Sequence, residues 1–184
     1  MATGDLCASA DVQAFLSLAA GQDDALLQTL CTNASAFVIN FLNRNLLTAS
    51  YTETRNGVGG DRLAFRQYPV TAVASVVIDG VTVPLSTSPA QFGYVFDEEM
   101  LYLRGGVFPR GVQNVAISYT AGLASVPLDV AQACIEIVAT KYKRRTNIEV
   151  SAKTLNGETI SFTQADMPAA SKLALDNYKR VFMI

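Results

Sequence analysis

The sequence predicts an α+β fold: a helical bundle with a small antiparallel β-sheet inserted into it, then a C-terminal hairpin and helix. Three observations carry this. Residues 127–145, PLDVAQACIEIVATKYKRR, place polar residues at Asp129, Gln132, Glu136, Thr140 and Lys143. Those steps of three and four make one narrow stripe on an otherwise apolar helix, which therefore lies among other elements. Residues 46–120 alternate with period two between Gly- and Pro-rich turns, as antiparallel strands do. Asn156-Gly157 separates two short alternating runs, the strongest short-range hairpin signal. The expected domains are a bundle over 1–147 with the β insertion at 46–122, and a hairpin-and-helix arm over 148–184.

In chain order, Ser9 is placed to cap a short helix running to about Ala19, ended by Gly21. Asp23 or Asp24 starts a long helix to about Asn43, with Leu27, Leu30, Ala34, Phe37 and Phe41 at three-four spacing. Its other side carries Thr29, Thr32, Asn33, Ala36, Asn40 and Asn43, with no charge between Ala25 and Asn43. That face is either an ordinary exposed Asn/Thr surface or one that meets a neighbouring subunit. Strands follow at 46–54 and 62–68, with Asn56–Asp61 read as a hairpin turn. It is not a phosphate-binding loop, since the Gly-Lys-Ser/Thr ending and a following helix are both missing. Pro69 stops the second strand. Residues 73–79 form a β-branched strand ending at Asp79-Gly80, onto which 81–85 pair back. Strands 92–96 and 100–103 flank a hairpin tip, Asp97-Glu98-Glu99, and 112–120 form the last strand of the insertion.

In the central helix, Pro127 suits the first turn, Asp129 the positive N-terminal end, and Lys141, Lys143, Arg144 and Arg145 the negative C-terminal end. Strands 150–155 and 158–163 hold few large apolar residues, chiefly Leu155, Ile160 and Phe162, so this hairpin projects or packs outside its own domain. A last helix begins at Asp166 or Met167, with Leu173, Leu175, Tyr178, Val181 and Phe182 as its apolar residues. The apolar run Val181-Phe182-Met183-Ile184 either tucks into the subunit or inserts into a partner.

Half of the 184 residues are hydrophobic, enough for a core. No apolar run approaches the length of a membrane span, and the N-terminal residues lack a signal-peptide pattern. Cys7, Cys31 and Cys134 have no metal-ligand spacing and read as buried free thiols suited to a reducing compartment. There is no histidine, which removes the commonest general base and zinc ligand. No catalytic constellation, metal site or cofactor site emerges. The net charge of −2 excludes a wholly electrostatic DNA binder, but its distribution is uneven. Residues 1–43 hold four acids and no Lys or Arg, whereas residues 141–184 hold eight bases against four acids. Helix-dipole placement and chance account for this as well as a subunit with two unlike faces does.

From Tyr119 onward the residues resemble a known family. Tyr119-Thr120-Ala121-Gly122, then Pro127, Asp129, Ala133, Val138-Ala139, Tyr142 and Arg145, are similar to the signature of head–tail connector (adaptor) proteins of tailed bacteriophages. Upstream, Asp11-Val12, Phe15-Leu16, Asp23-Asp24, Leu26, Ala34, Phe37, Arg44, Gly57, Gly59, Leu63, Phe65, Pro69-Val70 and Val76–Gly80 agree in order. So do Leu155–Glu158, Ser161-Phe162, Pro168, Leu175 and Tyr178 near the end. The resemblance implies a structural, non-enzymatic virion protein, assembled in the host cytoplasm and placed at the head–tail interface. It implies a ring, usually of twelve copies, that binds the portal protein, extends the DNA channel and offers a surface to a tail-side or stopper protein. Genome DNA would pass through without sequence-specific binding, and no membrane is involved.

On that basis the portal contact is expected at Lys172, Lys179, Arg180, Phe182, Met183 and Ile184. A neighbour-subunit or tail-side contact is expected at Asn156, Gly157, Thr29, Asn33 and Asn40. Lys141, Arg144 and Arg145 are the channel-facing candidates, with a solvated helix end as the plainer alternative. Two other functions compete: a small nucleic-acid-binding protein using Lys141–Arg145 and Lys153, and a metal enzyme using Asp97, Glu98 and Glu99.

Overall fold

The computed structural model describes residues 4–19, 21–145, 152–155, 158–161 and 167–180. The fold is α+β, in two compact units: Asn45–Ser125, and the flanking Met1–Arg44 with Val126–Ile184.

The flanking unit is helical: α1 (Ser9–Leu16), α2 (Asp24–Leu42), α3 (Leu128–Arg144) and α4 (Ala169–Asp176). α3 buries Val130, Ala133, Cys134, Ile137, Val138, Ala139 and Tyr142, and packs against all three other helices. Burial of each large aliphatic side chain contributes about 1.5–3 kcal/mol, which is why an apolar helix takes this place. α2 also packs against all three, burying Leu27, Cys31, Ala34, Ser35, Val38 and Leu42, so the central position is shared. The polar stripe of α3 does not simply face water. Ser171 donates to Glu136 at 2.6 Å and Tyr178 to Asp129 at 3.0 Å, so α4 lies antiparallel along it.

Helix ends differ from expectation for local reasons. α1 stops at Leu16 because Ser17 turns left-handed (φ 55°) and its N–H closes back on Ala14 and Gln13. Ser9 is inside the helix, and Ala8 takes the cap position with no side-chain hydrogen bond. α4 begins at Ala169, behind Pro168. The composition-based expectation about membrane spans also needs correction. By length and composition α2 is long and apolar enough to cross a membrane. One side of it is packed in the helical unit and the other exposes Asn33 and Asn40, amides that hydrocarbon would leave without partners. Strands β8 (Ala152–Leu155) and β9 (Glu158–Ser161) pair antiparallel in the register Leu155↔Glu158, the hairpin that the Asn-Gly pair predicts.

The inserted unit holds β1 (Ala49–Arg55), β2 (Arg62–Ala64), β3 (Val70–Ile78), β4 (Val81–Val83), β5 (Gly93–Phe96), β6 (Met100–Arg104) and β7 (Val115–Ala121). These form not one sheet but two, ordered β1-β7-β3-β4 and β2-β6-β5. Strict alternation along β7 buries Val115, Ile117, Tyr119 and Ala121. With Val76, Leu63, Phe65, Leu101, Leu103 and Phe108 they form one core.

Asn56–Asp61 is not a hairpin turn, because β1 pairs with β7 and β2 with β6. The segment carries the chain from one sheet to the other, and its backbone groups bond to distant residues instead. Gly59 N–H donates to Phe108 O, Phe108 N–H to Gly60 O and Leu103 N–H to Asp61 O, each at 2.8 Å. Gly57 must be glycine here, since a Cβ would lie 1.9 Å from the Pro109 carbonyl oxygen. Gly122 serves the same purpose at the end of β7, where φ is 118° and a Cβ would meet the Leu47 backbone at 2.5 Å.

Candidate assembly surfaces

The tip between β5 and β6 holds the Asp97-Glu98-Glu99 trio, and its groups are used within the fold. One Asp97 oxygen accepts N–H bonds from Glu99 (2.9 Å) and Met100 (2.7 Å), and the other accepts from Tyr102 OH (2.9 Å). Those backbone bonds hold the Asp97 carboxyl below its ordinary range. The carbonyls of Glu98 and Glu99 accept from Val70 and Phe65 N–H. Among the described residues, no group of three or more His, Cys, Asp or Glu is arranged to hold a metal ion.

A buried carboxylate that the sequence did not single out is Glu53 on β1. It accepts from Tyr119 OH, Arg66 N–H (3.1 Å) and Arg55 Nη1 (3.1 Å). Tyr119 in turn accepts from Gln67 N–H at 3.1 Å. Burial, and then the bond to Glu53, push the Tyr119 phenol well up. These bonds join β1, β7 and residues 66–67, a structural use of the charge.

The α2 face expected at Thr29, Asn33 and Asn40 is exposed and continuous. Leu26, Thr29, Asn33, Ala36, Asn40 and Asn43 are all exposed at steps of three and four. They run about 25 Å along the helix at 1.5 Å per residue. Thr29 and Thr32 donate back to the Ala25 and Gln28 carbonyls at 2.9 and 3.1 Å. Their hydroxyl donors are therefore engaged internally, and the face presents methyls and amides, which cost less to dehydrate than ammonium or carboxylate groups.

The basic end of α3 is largely engaged within the unit. Lys141 is half-buried, its Nζ 5.1 Å from the Phe37 ring centre. Arg145 lies 3.7 Å over the Tyr142 ring, donates to the Tyr142 carbonyl at 2.9 Å and pairs with Asp23 at 3.5 Å. Tyr142 also donates to Asp23, at 2.6 Å, and that bond raises its phenol pKa. Part of the charge asymmetry along the sequence is thus neutralised where Asp23, just before α2, meets the end of α3. Arg144 is half-buried and Lys143 exposed.

Near α4, Lys179 sits 4.7 Å over the Phe41 ring and Arg180 N–H donates to Leu42 O at 2.9 Å. Lys172 is exposed, next to Leu173, which is 74% exposed. Of the expected contact residues, Asn156, Gly157, Phe182, Met183 and Ile184 lie outside the described residues. The structure thus brings Thr29, Asn33 and Asn40 onto one stripe, sends Lys141, Arg145, Lys179 and Arg180 to contacts within the helical unit, and leaves Lys172 outward. Exposed apolar residues were also missed: Leu128 at the start of α3, and Val58, Val107 and Val112 on loops. The only signal for the loop residues is that large apolar side chains sit among glycines and prolines.

A family model described as head completion protein matches residues 5–181. No curated protein matches the chain. Solved structures do. A chain from the neck of an empty GTA particle, computed with C6 symmetry, is 23% identical, with a TM-score of 0.60 over 96% of this chain and 90% of that one. A chain from the virion of a native gene transfer agent (GTA) particle gives 22%, 0.60, 96% and 90%. One from the neck of a native GTA particle, computed with C12 symmetry, gives 22%, 0.59, 95% and 89%. At these identities the likeness is one of fold.

Proposed function

The chain belongs to the head completion protein family, and from that premise we propose that it is a non-enzymatic structural protein of the head–tail interface in a phage-like particle. It forms a ring of twelve copies beneath the portal, extends the DNA channel and presents a surface to the next tail-side or stopper protein. The observation that carries this is the family match, which spans almost the whole chain, 5–181. The fold shared with chains from particle necks computed with C6 and C12 symmetry supports the ring. A closed ring needs two different, complementary faces on each subunit. The uncharged α2 stripe at Thr29, Asn33, Ala36 and Asn40 supplies one of them.

Lys172 and Leu173 on α4, with Phe182–Ile184 beyond it, form the portal contact in this scheme. The Asn156-Gly157 hairpin reaches a neighbour or the tail side. Lys141, Arg144 and Arg145, at the C-terminal end of α3, are the channel-facing cations in this scheme.

The test is the mass of the portal alone and after mixing with this protein, by native mass spectrometry or mass photometry. A gain of about twelve copies is the expected result. A portal of unchanged mass, with this protein monomeric throughout, rules the proposal out. Deleting residues after Ala170 assigns the contact: a truncated protein that still binds the portal removes α4 and its extension from that role.

A further inference from the structure

All three cysteines are buried in the helical unit, at 2%, 0% and 0% exposure for Cys7, Cys31 and Cys134. Cys7 donates its S–H to Cys134 across 3.2 Å, bridging 127 positions of sequence. Closing to a disulfide, about 2.05 Å, asks the sulfurs to approach by only about 1.1 Å. Ser35 organises the site. Its hydroxyl accepts from Leu6 N–H at 2.9 Å, donates to Cys31 O at 2.7 Å and lies 3.8 Å from Cys134 Sγ. Asp5 is tied to α2 by Gln28 at 2.7 Å. Residues 5–7 are thus laid across α2 and α3 by a few bonds, with no helix or strand of their own.

We propose that Cys7 and Cys134 are an oxidation site, at which a peroxide converts the reversible docking of residues 5–7 into a covalent lock on α3. Brief lifting of residues 5–7 admits the oxidant, as local opening of short segments commonly does. Cys134 is the attacking sulfur: it stays fixed on α3 when residues 5–7 lift, with the Ser35 hydroxyl 3.8 Å from its Sγ, and it is the sulfur onto which Cys7 closes at 3.2 Å. It attacks a peroxide oxygen, the O–O bond breaks, and a sulfenic acid forms as the released hydroxide takes a proton to become water. When residues 5–7 close again, the Cys7 sulfur attacks the sulfenic sulfur, the S–S bond forms and the second oxygen leaves as water. Two thiols supply the two electrons that the peroxide accepts. Thiols stay reduced in a cytoplasm and oxidise outside it, so the lock closes in a particle that has left the cell. The site stands on its own geometry; only the timing of closure rests on the proposed virion role.

The test exposes the reduced full-length protein to hydrogen peroxide, quenches in denaturant with an alkylating agent, and maps cross-linked peptides without reduction. The expected result is a fall from three free thiols to one and a mass loss of about 2 Da before alkylation. The cross-link joins Cys7 to Cys134, and Cys31 is alkylated. The thermal midpoint rises by roughly 10 °C and returns with dithiothreitol. Cys31→Ser keeps both effects and Cys7→Ser loses both. A cross-link through Cys31, sulfinic or sulfonic acids without a cross-link, disulfide-linked dimers, three surviving thiols or an unchanged midpoint each overturn the lock. The thiol count and the map are read on the wild-type chain, so the result holds even if a variant fails to fold.

Discussion

Tyr119 shows what one residue of the recognisable Tyr119–Gly122 segment does. Its ring packs on Phe65 and Tyr51 in the core of the inserted unit, and its hydroxyl links Glu53 to the Gln67 backbone. Tyr119→Phe keeps the ring but removes a partner from a buried carboxylate and from a backbone N–H. Loss of about 1–3 kcal/mol is expected in urea unfolding, with the strands retained by circular dichroism. Asp97 makes a second case, with a pH signature. Its folded pKa is depressed by the Glu99 and Met100 N–H groups. Its contribution is therefore fully present above the ordinary carboxylate value, about 3.9, and lost as pH falls through the lower folded value. Asp97→Asn is expected to flatten the acid limb of a plot of urea midpoint against pH below about 4. An unchanged limb would mean that the turn does not depend on the charge. Glu53 was not legible in advance, because a glutamate on an alternating strand looks like any solvent-facing position until its partners at 66 and 119 arrive from far along the chain.

At the scale of elements, local periodicity was readable and long-range pairing was not. The three-four spacing of Leu27, Leu30, Ala34 and Phe41 located α2 to within a residue, and 127–145 located α3 as closely. Each helix carries its own hydrogen bonds, so its pattern is contained in its own sequence. Strands borrow their partners. β1 pairs with β7 across more than fifty residues, so Asn56–Asp61 resembled a hairpin turn although its backbone bonds run to 103–111. The polar stripe on α3 was seen, but not that α4 covers it. The uncharged face of α2 was both seen and found exposed, and that permits a prediction about assembly. Ala36 sits mid-stripe and is exposed. Ala36→Arg leaves the helix a good helix former, so monomer stability is expected to change by no more than about 0.5 kcal/mol. If α2 forms the proposed contact between copies, a guanidinium there would be dehydrated on docking, and the number of copies retained on the portal is expected to fall, read by mass photometry. An undiminished copy number would take α2 out of the contact between copies.

At the scale of the whole molecule, the proposed ring would surround DNA in transit, and a ring with that role must not hold it. Tight binding scales with the number of phosphates neutralised, and each such contact steepens the dependence on salt. The chain carries a net charge of −2. Within the basic end of α3, Arg145 is paired to Asp23 and stacked on Tyr142, and Lys141 lies against Phe37. Their cations are partly committed before any phosphate arrives. Fluorescence anisotropy with a short DNA duplex is therefore expected to show no retention at about 150 mM salt, and a shallow slope, equivalent to about one or two phosphate contacts, at low ionic strength. Arg145→Ala should shift the thermal midpoint downward, through loss of its stacking and ion pair, more than it shifts the DNA curve. The opposite pattern, a steep salt slope that Arg145→Ala halves without loss of stability, would mean that the end of α3 is a phosphate-binding surface. The basic cluster would then act on DNA itself, and the channel would grip its cargo instead of letting it slide.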